Sequence, residues 1–340
     1  MLDRGSSSVG TLRQLESTKV KIDAGQPAVS ILTAAFNSAR TLAHTIESAL
    51  AQTMPSFEMI IVDDGSTDDT RAVAERFAER DPRIRLIHQP NGGTAAARNA
   101  AIEAARGDCF ALLDSDDRWS PRFLEAQLRV LETDPTIDIV SCNALNDGGR
   151  RDGEPLKPPN GPIRAISLLE LIEIEDSVTI MAVFRRRVIE TAGLFDTRLR
   201  RNEDYDLWLR AVAAGLRIVF NPEPLAYYRR RHDSVSANEA TMLDGISHVL
   251  RSARPLCEGR PAELKALDQQ LRRFERRRLV LHAKSALLAG DFPSAADAFK
   301  SLNHRFGDAS YAALALLSRN VPTVVRGAYA FKLALWKALR

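Results

Sequence analysis

The sequence predicts an α/β fold, a mostly parallel Rossmann-like sheet flanked by helices, followed by an α-helical C-terminal module. Three observations carry that expectation. Val29 to Ser66 reads strand, loop, helix, strand, with the apolar runs VSILTAA and FEMIIVD enclosing a helical pattern. The alternation continues through IRLIHQ, NGGTAAARNAAIEAARGD and CFALLD. From residue 239 to 340 the apolar spacing is helical throughout.

Taken in order, the first two strands end in polar residues, Phe36-Asn37 and Asp63-Asp64-Gly65-Ser66. In an open parallel sheet, ligands bind beyond the carboxyl ends of the strands, so Asp63 and Asp64 are placed to meet one. Asp-Asp-Gly is equally ordinary turn chemistry. Thr67 to Arg80 reads as a charged helix capped at its start, with Asp68 and Asp69 in the first turn, where the helix dipole favours anions. IRLIHQ is a third short strand. The loop holding Asn91 and Gly93 then opens an Ala-rich helix that Gly107 ends, and alanine on every face implies close packing on the sheet. A loop feeding a helix N-terminus offers backbone N–H groups that suit phosphate, and Arg98 adds a permanent cation. The same arginine could instead serve in a structural salt bridge.

Phe110 to Leu113 is an apolar strand that runs into Asp114, Asp116 and Asp117. Three carboxylates within four positions repel one another and call for a cation, and hard oxygen donors of this kind suit Mg²⁺ or Mn²⁺. Asp117 can alternatively cap the helix announced by Ser120-Pro121. Residues 123 to 133 form an amphipathic helix, Ile137 to Cys142 a strand, and Asn146 to Pro162 a long mobile loop, a candidate acceptor lid. Asn202 can cap a helix that starts with Glu203 and Asp204 and buries Leu207, Trp208, Ala211 and Val212. Leu225 to Tyr228 reads as a strand, with Arg229 to Ser236 as the loop after it.

These motifs, in order across residues 28 to about 238, resemble those of the family 2 glycosyltransferases. The matching residues are Phe36-Asn37, Asp63 to Ser66, and Asn91, Gly93, Arg98 and Asn99 of an Asn-x-Gly-x-x-x-Ala-Arg-Asn pattern, with Ala101 where a glycine often follows. To these are added Asp114-Ser115-Asp116 as an Asp-x-Asp motif, Glu203-Asp204, and His232 followed by Ser234 and Ser236. The resemblance implies a GT-A fold over residues 28–238, after a loose tail at 1–27 and before a basic helical module at 239–340. It implies a donor nucleotide held by Ala34, Phe36, Asn37, Asp63, Asp64, Asn91, Gly93, Arg98, Asp114 and Ser115. A divalent cation, Mn²⁺ or Mg²⁺, would be held by Asp114, Asp116 and His232. Asp204 would be the general base, with Glu203 as its neighbour or an acceptor hydrogen-bonding group. His232 is otherwise an exposed surface residue, and Arg229 to Arg231 otherwise a solvated basic face.

The implied activity is inverting transfer of a sugar from a nucleotide-sugar, UDP-sugar by resemblance, to a hydroxyl of a saccharide or lipid-linked acceptor. Cell-surface polysaccharide or glycoconjugate synthesis is the expected setting. Two other readings stay open: a sugar nucleotidyltransferase, whose glycine-rich basic loop AAFNSAR does not match, and a non-catalytic scaffold acting through the helical tail.

With 340 residues, 45% of them hydrophobic, the chain can bury one large core and a smaller second one. Cys109, Cys142 and Cys257 show no metal-ligand spacing and are expected to be reduced thiols in a cytosolic protein. No signal-peptide-like run opens the sequence. Residues 251–340 carry 17 Lys and Arg against 7 Asp and Glu, net +10, which leaves 30 against 37, net −7, in residues 1–250. The basic run Arg272 to Arg278 and the terminal GAYAFKLALWKALR suit either an anionic membrane surface, on the inner face of the cell membrane, or docking on the protein itself. No nucleic-acid partner is expected, and the oligomeric state is not legible.

Overall fold

The computed structural model describes residues 26–230 and 239–338, with the side chains of 331–338 excepted. In chain order the elements begin β1 (Val29–Ala35), α1 (Leu42–Leu50), β2 (Phe57–Asp63), α2 (Thr70–Ala78), β3 (Ile84–His88), α3 (Thr94–Ala104) and β4 (Cys109–Leu112). There follow β5 (Arg118–Trp119), α4 (Phe123–Thr133), β6 (Ile137–Asp147), β7 (Arg164–Ile166), α5 (Leu168–Glu173), β8 (Ala182–Arg185), α6 (Arg187–Ala192), α7 (Glu203–Ala213) and β9 (Arg217–Arg229). The chain then turns wholly helical with α8 (Glu239–Ser252), a short 3-10 turn, α9 (Pro261–Ala289), α10 (Phe292–Phe306), α11 (Ala309–Asn320) and α12 (Pro322–Ala338).

The strands form one sheet in the order β3-β2-β1-β4-β8-β6-β9-β5, with β7 pairing β9. β1 to β4 are mutually parallel, β6 and β9 are parallel to each other, and β8 runs antiparallel between β4 and β6. The carboxyl ends of β1, β2, β4, β6 and β9 therefore lie on one edge, where the polar loops gather.

Alternation along the strands divides the core into two layers, because successive side chains face opposite sides of a sheet. Leu32, Ile60, Val62, Phe110 and Leu112 face α3, α5 and α7, whereas Ile31, Met59, Ile61 and Ala111 face α1, α2 and α4. The alanines of α3 behave as expected: Ala95, Ala97 and Ala101 are buried against the sheet. Leu243, Val249 and Leu250 of α8 and Leu267 and Phe274 of α9 belong to the first of these layers, so the apolar core runs on past residue 239. A third, smaller cluster joins the end of α9 to α10 through Ala283, Leu287, Phe299 and Leu302, and Gly290-Asp291 makes the turn between those helices.

Several local expectations are corrected. The second helix starts at Thr70, not Thr67, because Asp68 turns back to accept the Thr70 N–H at 3.0 Å and the Ala39 N–H at 3.1 Å. The strand expected over Ile137 to Cys142 continues to Asp147. The segment 146–162 is not a free lid: the Leu156 N–H donates to the Ala144 carbonyl and the Lys157 N–H to Asn143 Oδ1, which lays the chain back along β6. The Arg272 to Arg278 run is not an open basic patch. Arg273, Arg276, Arg277 and Arg278 pair with Glu175, Asp308, Glu239 and Asp244, and Phe274 is buried. The three cysteines are buried and unpaired. Among the described residues no helix is long and apolar enough to cross a membrane. The aromatic face predicted for GAYAFKLALWKALR falls mostly on side chains outside the described residues.

Candidate active site

The loops after β1, β2 and β3 are laced together. Ala34 pairs in register with Val62, Phe36 is half exposed, and Asn37 sits at a φ of 49°. Asn37 Oδ1 accepts the Thr67 N–H at 2.8 Å, and its own N–H donates to Ser66 Oγ at 3.0 Å. Asp63, the last residue of β2, and Asp64 after it are both buried with their side chains engaged. Asp63 accepts the Ser66 N–H at 3.2 Å and contacts His88 Nδ1 at 3.1 Å. Asp64 accepts Gln89 Nε2 at 2.7 Å and the Gly92 and Gly93 N–H groups at 2.8 Å each. Asn91 Nδ2 donates to the Asp64 carbonyl at 3.0 Å. Gly65, at a φ of +73°, leaves room for this strap, since a Cβ there would stand 2.8 Å from the Asn91 nitrogen. The loop amides expected to be open for phosphate thus donate to Asp64.

Beside this lies an acidic centre. Arg98 of α3, only 3% exposed, donates from Nη1 to Glu203 Oε1 at 2.5 Å and from Nη2 to Asp114 Oδ1 at 2.6 Å. Burial alone would push its pKa down, but the charges of Asp114, Glu203 and Asp204 outweigh that and hold the guanidinium charged. The salt-bridge reading of Arg98 is therefore the one realised. Asn99 next to it exchanges two hydrogen bonds with the Phe195 backbone, at 2.9 and 3.0 Å, and so fixes the turn before α7.

Asp114, Ser115 and Asp116 follow β4 after one buried residue, Leu113. Asp117 does not cap a helix, since α4 starts only at Phe123. It is buried, with Oδ1 accepting the Arg229 N–H at 2.8 Å and Oδ2 without a partner. Burial first, then the charges of Asp116 and Asp114, push its carboxyl well above the usual range, against the pull of Arg229. Arg229 also donates to the Asp116 carbonyl at 2.8 Å and pairs with Asp147, and Arg230 donates to Asn146 Oδ1 at 2.8 Å. Those two arginines are occupied by the protein, and Leu225 to Tyr228 is the end of the longer β9. Arg231, His232, Ser234 and Ser236 lie outside the described residues.

Asn202 precedes α7 in the left-handed conformation, φ 60°, and its side chain caps nothing: Oδ1 is buried without a partner. Glu203 is buried against Arg98. Asp204, the next residue, has its pKa raised to about 6, by burial first and then by the Glu203 charge, with Arg98 opposing. Trp208 is core, packed edge-on to Phe184 at 5.6 Å.

A polar ladder along α1 was not anticipated. Ser38 Oγ and Ser115 Oγ share a 2.7 Å hydrogen bond, Thr41 Oγ1 donates to the Ser115 carbonyl at 2.9 Å, and Thr45 Oγ1 donates to the Asp117 carbonyl at 2.8 Å. Ser48 then accepts the Trp119 N–H at 3.2 Å, and Gln52 donates to the Ser120 carbonyl at 2.8 Å. Positions 38, 41, 45, 48 and 52 recur at helical spacing, a signal that was present in the sequence as a polar stripe.

The carboxylates of Asp114 and Asp116, hard oxygen donors at a strand end, are of the type a hard divalent cation takes, whereas Asp117 is buried beneath them. Among the described residues no three acidic, His or Cys side chains form a ready-made cage.

Residues 30–193 match the profile of glycosyl transferase family 2. The succinoglycan biosynthesis protein ExoO of Rhizobium meliloti is 35% identical over 300 residues, 82% of this chain and 84% of that protein. The UDP-Glc:alpha-D-GlcNAc-diphosphoundecaprenol beta-1,3-glucosyltransferase WfaP of Escherichia coli is 34% identical over 225 residues, 66% of this chain and 86% of that protein. Among solved structures, S. aureus TarS 1-349 in complex with UDP-GlcNAc has a TM-score of 0.62 at 19% identity, covering 89% of this chain and 92% of that one. The mannosyltransferase PcManGT of Pyrobaculum calidifontis, in complex with GDP-Man and Mn²⁺, has a TM-score of 0.58 at 21% identity, covering 92% and 88%. These structural likenesses show the GT-A fold. Because such relatives share this sequence over most of their own length, and the profile covers the strand ends that bear Asp63 and Asp114, the chain belongs to glycosyl transferase family 2 and is a glycosyltransferase.

Proposed function

We propose that this enzyme is a metal-dependent inverting transferase that moves a sugar from a UDP-sugar to a hydroxyl of a lipid-linked saccharide, at the cytoplasmic face of a membrane, in polysaccharide assembly. The observation that carries this reading is the meeting of Asp114 after β4 with Glu203-Asp204 at the start of α7, joined through Arg98. The donor class and acceptor are supported by what WfaP is named for and by the UDP-GlcNAc complex of TarS.

The residues divide the work. Asp204 takes the proton of the acceptor hydroxyl as its oxygen forms a bond to the anomeric carbon and the bond from that carbon to the nucleoside diphosphate breaks. A base with a pKa of about 6 is ionised at neutral pH yet still basic enough to accept a proton. Glu203, buried and bonded to Arg98, is not available as a nucleophile, which favours a single displacement with inversion. Asp114 and Asp116 would hold the divalent ion, together with His232. When bound, it supplies charge neutralisation to the departing diphosphate. The 115–117 backbone, pinned by α1, keeps those carboxylates in place.

A thermal-shift series with UDP-, GDP- and dTDP-sugars, each with Mn²⁺ and with EDTA, tests this. A ligand bound only by the folded state raises the melting temperature by mass action. The expected result is a Mn²⁺-dependent rise with UDP-sugars that Asp116→Ala abolishes. A rise with another nucleotide series would change the donor, and no rise with any would favour an inert scaffold.

A further inference from the structure

The helices α8, α9 and α10 line a half-open cavity of about 340 Å³, well away in sequence from the acidic centre. Arg251 of α8, Arg278 of α9 and Arg305 of α10 all line it, so three guanidinium groups arrive from three separate elements. Ser247 and Ser301 add hydroxyls, and His248 an imidazole. A second groove of about 610 Å³ adjoins it, sharing Glu275 and Arg305 and adding Arg272 and His304.

The pairing of arginines in this module singles the place out. Arg254, Arg273, Arg276, Arg277, Arg278, Arg305 and Arg319 each have an acidic partner. Arg260 donates to the Ala213 carbonyl at 3.0 Å. Among the described residues of α8 to α11, that leaves Arg251, and Arg272, which has no ion pair and feels only the field of Asp268 four residues earlier; one lines each cavity, and the Arg305–Glu275 pair is shared between them. Two acids, Asp244 and Glu275, face four arginines across the two cavities, so the net charge there is positive before either histidine is protonated. An Arg fork holding one carboxylate keeps further N–H donors for a second anion.

We infer that this pair of cavities is a second binding site, for a ligand bearing a phosphate or diphosphate group. Several guanidinium groups converging from different directions, with hydroxyls between them, suit a tetrahedral oxyanion with three terminal oxygens better than a planar carboxylate, which one fork satisfies. Leu279 adds an apolar side chain to the lining. The site does not depend on the donor site or on a divalent ion.

The test is calorimetric titration of the full-length protein with inorganic pyrophosphate in EDTA. Wild type is expected to bind, and the Arg251→Ala/Arg272→Ala double variant to bind at least tenfold more weakly. Arg76→Ala on exposed α2, which removes a cation elsewhere, should change nothing. Neither Arg251 nor Arg272 forms an ion pair, and the field of Arg272 at Asp268 acts on an exposed carboxylate that Arg254 already holds, so the double variant should melt within a degree or so of the wild type, and its Mn²⁺-dependent response to nucleotide-sugar should persist. Absence of binding by wild type, or equal binding by the double variant, overturns the proposal. Sedimentation with phosphatidylcholine vesicles, with and without phosphatidic acid, whose headgroup is a phosphomonoester, assigns the source. Loss of vesicle binding together with pyrophosphate binding in the double variant points to a lipid headgroup, and loss of pyrophosphate binding alone to a soluble phosphate ester.

Discussion

Arg98 reaches Glu203 across 105 positions of sequence with a 2.5 Å hydrogen bond, while its other nitrogen holds Asp114. The loop after β4 and the start of α7 are thereby one charge network. Removing the guanidinium would leave Glu203 buried without its counter-ion, and breaking a buried pair in this way costs on the order of 3 kcal/mol. Arg98→Ala is expected to lower the urea midpoint accordingly, with Arg98→Lys in between, since one ammonium cannot replace a two-pronged fork. A variant as stable as wild type would show that the pair is idle.

Asp204 has two linked consequences. The rate of transfer should fall as pH drops through about 6, because the base is then protonated, and Asp204→Asn should lose transfer while keeping nucleotide affinity. Stability runs the other way. The folded pKa lies above the ordinary value of 3.8, so the folded state binds more protons between the two, and stability declines as pH rises through that window. Asp204→Asn should therefore melt higher than wild type at pH 8, with the gap closing below pH 4. An equal melting temperature at pH 8 would contradict the raised pKa.

Gly245 of α8 meets Asn202, the residue before Glu203. A Cβ at Gly245 would stand 2.4 Å from Asn202 Oδ1. In a helix interior, Gly→Ala alone stabilises by about 1 kcal/mol. Here Gly245→Ala is expected to destabilise and to lower kcat more than donor affinity, because it displaces the turn that aims Asp204. A stabilised, fully active variant would mean that the contact relaxes freely.

The α1 ladder should act on the donor side. Thr45→Val keeps the shape of the side chain but strips the Asp117 carbonyl of its donor, at a cost of about 1 to 3 kcal/mol for an unsatisfied buried group. Paired with Thr41→Val it should raise the KM for nucleotide-sugar more than it changes the KM for acceptor. Equal effects on both would argue for a merely structural ladder.

Much of this was legible because it is local. The apolar alternation of β1 and β2, the span of α4, the hairpin about Gly290 and the burial of Trp208 follow from periodicity and turn chemistry. The acidic motifs were legible too, because carboxylates crowded at a strand end are an unusual local pattern. Their partners were not. Whether Arg98 meets a ligand or two carboxylates depends on residues 16 and 105 positions away, and whether the Gly92 and Gly93 amides are open depends on where Asp64 lands. Asp117 read as a cap because Ser120-Pro121 stood near it, while its actual partner, Arg229, arrives on a distant strand.

By itself the sequence determined the α/β order of elements, the family, and which residue types stand at the strand ends. Tertiary structure alone decided which charges neutralise one another, that α8 and the start of α9 share the main core, and that arginines from α8, α9 and α10 line one cavity. The reason is one of range. Backbone preference and apolar periodicity are settled within a few residues, whereas the fate of a charge is settled by whatever the fold brings within a few ångströms of it.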